Sequence, residues 1–116
     1  IMTGYTLPIL RMILYHATPY RNLADITLDG IKKNYDGVYF ADSAKAAAGF
    51  IALRGETQVA VIPVEFNEDE VTESFDHNEA IFKNLLQLDS VKCFTYDQDV
   101  PAERLDLTSI QIFTRG

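Results

Sequence analysis

Two short apolar runs, Ile13 to His16 and Val38 to Ala41, each end in polar residues and lead straight into helical sequence. A chain that turns a short strand into a helix twice in its first half must mix helix and sheet. After the first run, Pro19 stands near the start of a helix, where its missing N–H does little harm. Leu23, Ile26 and Ile31 bracket an apolar face, and Gly30 is placed to close that helix. Asn34-Tyr35-Asp36-Gly37 is turn chemistry. After the second run, Asp42 or Ser43 can cap a helix built on Ala44-Lys45-Ala46-Ala47-Ala48, a sequence of strong helix formers. Phe50, Ile51 and Leu53 extend its apolar face and Gly55 ends it.

The second half is richer in strands. Thr57 to Phe66 carries β-branched residues on both faces, which predicts a strand buried inside a sheet. Asn67 to Asp76 is acidic and reads as a loop or an irregular edge. Ala80, Ile81, Leu85 and Leu88 recur near helical spacing and predict a short helix over 78–88. Val91 to Tyr96 reads as a strand, Asp97 to Pro101 as a connection, Pro101 to Arg104 as one helical turn and Leu107 to Thr114 as a last strand. The glycine-rich phosphate turn of a doubly wound parallel fold is missing after the first strand. The late run of strands therefore favours α+β.

The sequence of 116 residues predicts one domain, expected over residues 12–116, with residues 1–11 a non-native or flexible leader. The formal net charge of −7 argues against general nucleic-acid binding, which rests on Lys and Arg neutralising phosphates. It leaves room for one small nucleotide in a local pocket. Cys93 is the single cysteine, so no intrachain disulfide can form, and a cytoplasmic location is expected. No apolar run approaches the roughly 18–20 residues that span a bilayer, and no signal peptide or membrane partner is expected.

Four side chains gather near the ends of the two strand-to-helix segments: His16 and Thr18 in the first, Tyr39 and Ser43 in the second. The ends of strands are where α/β structures commonly bind ligands. An imidazole, an aromatic face and two hydroxyls suit a flat cationic ring with ribose hydroxyls beside it; stacking on such a ring is worth roughly 0.5–2 kcal/mol. Each residue also has a plainer reading. A lone His is more often a satisfied structural residue, and a Tyr in a strand more often packs across to its neighbour. Metal binding is not expected, because the other histidine, His77, lies in a different kind of segment and no Cys/His spacing matches a zinc site.

Leu14-Tyr15-His16-Ala17-Thr18 resembles the YHGT/YHGS segment of the ADP-ribosyltransferase superfamily, in its diphtheria-toxin and poly(ADP-ribose) polymerase branch. Gly37-Val38-Tyr39-Phe40-Ala41-Asp42-Ser43, with the alanine run after it, is similar to that branch's second glycine-tyrosine-phenylalanine-alanine segment. Leu28-Asp29-Gly30-Ile31 matches the helix-ending turn between them, and Val100-Pro101-Ala102-Glu103 resembles a proline connection near the end of such domains. The resemblance covers about residues 12–52, with weaker matches later. It implies a split β-sheet with two N-terminal helices and a cleft between two antiparallel sheets that binds NAD as co-substrate. His16 would hold ribose hydroxyls, and Thr18 would orient it or reach a ribose. The backbone of Ala17 would pair with the nicotinamide carboxamide, Tyr39 would stack on the nicotinamide ring and Ser43 would bond the carboxamide. The implied activity is mono-ADP-ribosyl transfer, a glycosyltransferase reaction, to a macromolecular acceptor expected to be a protein.

That chemistry needs a carboxylate beside the cation that develops as nicotinamide leaves. The resemblance puts a Glu at the start of the late strand, where this chain has Lys92 or Cys93. Asp89 is the first substitute, Glu103 the second, and Glu79 lies in the predicted helix before the strand. Three alternatives follow. One is a degenerate domain that binds NAD, ADP-ribose or a protein without catalysis. Another is an enzyme like the RNA 2′-phosphotransferases, whose pattern needs a second His and an Arg. The last is an α+β interaction protein with a structural His and Tyr.

Overall fold

The structure, a computed structural model, describes residues 10–52, 54–74 and 92–114. Over the described residues the fold is mixed α+β: two helices and six strands, all pairing antiparallel in one sheet of order β4-β5-β2-β1-β3-β6. The strands are β1 (Arg11–Pro19), β2 (Val38–Ala41), β3 (Gln58–Asn67), β4 (Thr72–Ser74), β5 (Cys93–Tyr96) and β6 (Gln111–Thr114). The helices are α1 (Leu23–Asp29) and α2 (Ala44–Ala52). The helix expected over 78–88, together with Glu79 and Asp89, lies outside the described residues.

Each strand-to-helix segment forms as its residues dictate. β1 runs through Pro19 into a 3-10 turn at Tyr20–Asn22 and then α1. Gly30 closes α1 with φ 78° and ψ −172°, a conformation essentially reserved for glycine. At α2 the Ser43 hydroxyl accepts the Ala46 N–H at 3.1 Å, the bond expected of a capping serine. The sheet begins earlier than residue 12: Arg11 pairs with Asn67, and the Leu10 carbonyl accepts the Glu68 N–H at 2.9 Å.

Alternation along the strands sends side chains into two cores, one per face of the sheet. On the α1 side, Leu14, Val38, Phe40, Ile62, Val64, Phe66, Val100 and Leu105 are buried together, with Leu23 and Ile26 of α1 packed on them. On the α2 side, Ala46, Ala47 and Ala48 pack against Ala41, Val59, Val61 and Cys93. The small helix face lets α2 lie close to the sheet. β3 is buried on both faces, as its composition predicts.

Pro63 sits in the middle of β3, a place where proline normally breaks a ladder. β6 pairs only with residues 58–61 of β3, so at Pro63 that edge is no longer covered by a strand. The Pro63 carbonyl there accepts the Asp106 N–H at 3.0 Å. In an extended chain a residue's N and O point the same way, so the missing donor faces the gap left by β6 and costs no ladder bond.

Candidate functional site

The weak seam of the sheet runs between β1 and β2. β1 pairs with β3 along nine residues, from Arg11↔Asn67 to Pro19↔Val59. On its other edge it pairs with β2 at Tyr15↔Ala41 alone. The sheet thus divides into two three-stranded halves, β4-β5-β2 and β1-β3-β6, joined at one rung. The resemblance implies a cleft between two antiparallel sheets; among the described residues the strands form one antiparallel six-stranded sheet whose halves meet at this seam.

Beside that rung, a side chain takes over from the backbone. His16 Nδ1 lies 2.9 Å from the Tyr39 carbonyl oxygen. A carbonyl only accepts, so Nδ1 carries the proton and donates. Burial pushes the imidazole below its ordinary value, and the bond to Tyr39 offsets this only in part. The ring is therefore neutral at pH 7, and Nε2 is left as an acceptor with no partner among the described residues. Such a nitrogen accepts from an O–H or N–H donor.

His16 and Tyr39 meet through ring and backbone, not ring and ring. The imidazole packs on Phe40, with centroids 5.6 Å apart, on the α1 side. Tyr39 alternates with Phe40 and so shares the α2 side with Ala41 and, by the register of the single rung, with Tyr15 and Ala17. Its side chain is 48% exposed. Ala17 pairs with Val61 of β3 and with no residue of β2. Thr18 follows on the His16 face and is 4% exposed, the one buried polar residue among those described. Ser43 lies just beyond β2, and its hydroxyl oxygen is engaged at the start of α2.

The candidate acids are not brought to this place among the described residues. β5 pairs with β2 through Tyr39↔Thr95 and Ala41↔Cys93, so the residues beside Tyr39 on its own face are a threonine and a cysteine. The pairing is prolonged by Asp42, whose N–H donates to the Lys92 carbonyl at 3.0 Å while its carboxylate accepts the Lys92 N–H at 3.3 Å. Glu103 lies on the 3-10 turn Ala102–Arg104 and lines an open concavity with Leu28, Lys32 and Tyr96, to which neither His16 nor Tyr39 contributes. No cluster of three His, Cys, Asp or Glu able to hold a metal occurs among the described residues.

Arg104 was not singled out by the sequence. Its guanidinium reaches the Glu65 carbonyl at 2.9 Å, the Glu70 carboxylate at 2.7 Å and the Tyr96 hydroxyl at 3.3 Å. Nothing local in Ala102-Glu103-Arg104 signals this, because every partner lies at least eight residues away.

Compared with models of known protein families and with curated proteins, the chain matches none. Among the described residues, no helix is long and apolar enough to cross a membrane.

Proposed function

We propose that the chain binds NAD at the seam between its half-sheets and transfers ADP-ribose to a macromolecular acceptor, expected to be a protein. The observation that supports this is the His16 Nδ1–Tyr39 carbonyl bond beside a one-rung seam. It fixes a neutral imidazole whose Nε2, unoccupied by any described residue, can accept from a ribose hydroxyl. The seam adds a second attraction. Backbone N–H and C=O groups must find partners, and most of those on the β2-facing edge of β1 do not find them in β2. A primary carboxamide offers N–H donors and a carbonyl acceptor, the complement of a strand edge that β2 pairs at one position only. This agrees with the role that the resemblance gives the backbone of Ala17. Tyr39 is exposed on the opposite face of the sheet from the imidazole, so the stacking role that the resemblance gives its ring is not joined to the His16 contact.

A second reading is favoured by β5: the domain binds NAD or ADP-ribose without catalysis, since the described residues of that strand present no acid beside Tyr39. Titration with NAD followed by a nicotinamide-release assay separates the two. Transfer chemistry predicts release that disappears in His16→Ala and in Asp89→Ala or Glu103→Ala. A binding module gives a heat of binding, lost in His16→Ala, with no release. Millimolar NAD at about 100 times its Kd adds roughly 2.7 kcal/mol of stability. No thermal shift at that concentration refutes both.

A further inference from the structure

We propose that Arg104 is a positioning residue for His16, clamping the two half-sheets together so that the imidazole stays against the Tyr39 carbonyl. One backbone rung cannot by itself fix the angle between two three-stranded halves. The α1 face of the seam is instead crossed by a row of rings. His16 packs on Phe40 at 5.6 Å, Phe40 meets Phe66 edge-on at 4.9 Å, and Phe66 meets Tyr96 at 5.0 Å. His16 and Phe66 belong to β1 and β3, Phe40 and Tyr96 to β2 and β5, so the row passes from one half to the other at every step.

Arg104 closes the far end of this row. Arg104 is tied to the β3 half: the Leu105↔Val64 bridge follows it in the backbone, and its side-chain Nη2 donates to the Glu65 carbonyl. The guanidinium carbon lies 4.8 Å from the Phe66 ring centroid and 5.6 Å from that of Tyr96. One planar cation therefore stacks on an aromatic of each half and donates to the Tyr96 hydroxyl of the β5 half. Glu70 holds it from the side, through an ion pair whose side chains are 29% and 28% exposed. A fork of donors in a plane makes these contacts simultaneously; a lysine ammonium cannot. With rings packed at van der Waals distance, a shift of β5 against β3 at Arg104 is passed to Phe40 and so to the imidazole. The clamp concerns the candidate site but holds whether or not that site takes NAD.

The test uses the whole chain and no dinucleotide. Nitrogen-15 NMR of the His16 ring reports its tautomer and titration in wild type, Arg104→Met, Arg104→Lys and Val59→Ala. Val59 is buried in the other core, so Val59→Ala destabilises the fold without touching the ring row. In Arg104→Met the Nδ1–H tautomer loses population, and the His16 midpoint rises toward ~6.5 as water reaches the ring. Arg104→Lys restores little, and Val59→Ala leaves the His16 signals in place. Unchanged His16 signals in folded Arg104→Met, or equal changes in Val59→Ala, overturn the proposal. Should Arg104→Met fail to fold, Glu70→Gln is measured instead: it loosens the guanidinium while keeping the ring stack, and unmoved His16 signals there overturn the proposal equally.

Discussion

Gly30→Ala tests how α1 and the 100–104 connection are locked together. An ideal Cβ built on Gly30 falls well inside contact with the Val100 carbonyl oxygen, 2.9 Å from Ala102 N and 3.1 Å from Pro101 C. All three are backbone atoms, so no side chain can swing aside. Two costs add. Holding alanine at φ 78° and ψ −172° costs about 1–3 kcal/mol. Making room for the methyl pushes Val100 away from Ile31, and the reciprocal bonds between them, both 2.8 Å, are lost. At about 0.5–1.5 kcal/mol net each, these add roughly 1–3 kcal/mol. The sum is about 2–6 kcal/mol, a large part of the ~5–15 kcal/mol that holds a domain folded. At roughly 4 °C per kcal/mol for a domain of this size, the melting temperature falls by about 8–24 °C. Urea unfolding gives the free energy and a calorimetric or circular dichroism melt gives the temperature. A loss below about 1 kcal/mol would mean that the connection does not rest on Gly30, and the account of how α1 is held would fail.

Two further outcomes follow from single groups. The His16 pKa is lowered in the folded state, so between that value and the unfolded ~6.5 the unfolded chain binds more protons; stability is then lost as pH falls below about 6.5, by at most ~1.4 kcal/mol per pH unit. Denaturant unfolding of wild type and His16→Asn between pH 5 and 8 checks this, because the slope due to His16 vanishes in the variant while that of every other group remains. Ser43→Ala removes the acceptor for the Ala46 N–H and is expected to cost about 1 kcal/mol, whereas Ser43→Asp keeps the cap and costs little, as read from urea midpoints.

Local chemistry made much of the fold legible. The limits of β2, the Ser43 cap, the Gly30 stop and the doubly buried β3 all follow from residues acting on near neighbours. The seam did not announce itself, because a strand's own sequence does not say which edge will be paired along nine residues and which at one. Asn67 to Asp76 reads as a loop or an irregular edge, because Thr72-Glu73-Ser74 has no apolar pattern and becomes the strand β4 by pairing with β5. At the site, the sequence singled out His16 and Tyr39 for their side chains. The structure joins them through the Tyr39 backbone, a contact available to any residue at position 39. Arg104 was invisible for a related reason: its partners come from β3, β5 and the turn after β3, which only the sheet order brings together.

On the proposed reading, binding and catalysis place different requirements on the residues around the seam. On that reading, binding uses an acceptor for a hydroxyl and backbone groups for an amide; among the described residues His16 offers the first and the β2-facing edge of β1 the second. Breaking the bond between ribose and nicotinamide needs negative charge close to the developing cation, where the field of a single carboxylate falls off with distance and with water. Tyr39 has Thr95 beside it in β5, Ala41 has Cys93, and the Asp42 carboxylate already accepts the Lys92 N–H. Glu103 belongs to a concavity that the His16 ring does not enter. On the proposed transferase reading the acid is expected to be Asp89, the first substitute the sequence offers, which lies outside the described residues. Nicotinamide release that survives Glu103→Ala but not Asp89→Asn, with NAD affinity unchanged in both, is the pattern this division of labour requires. Release that survives Asp89→Asn removes the carboxylate on which the transferase reading depends.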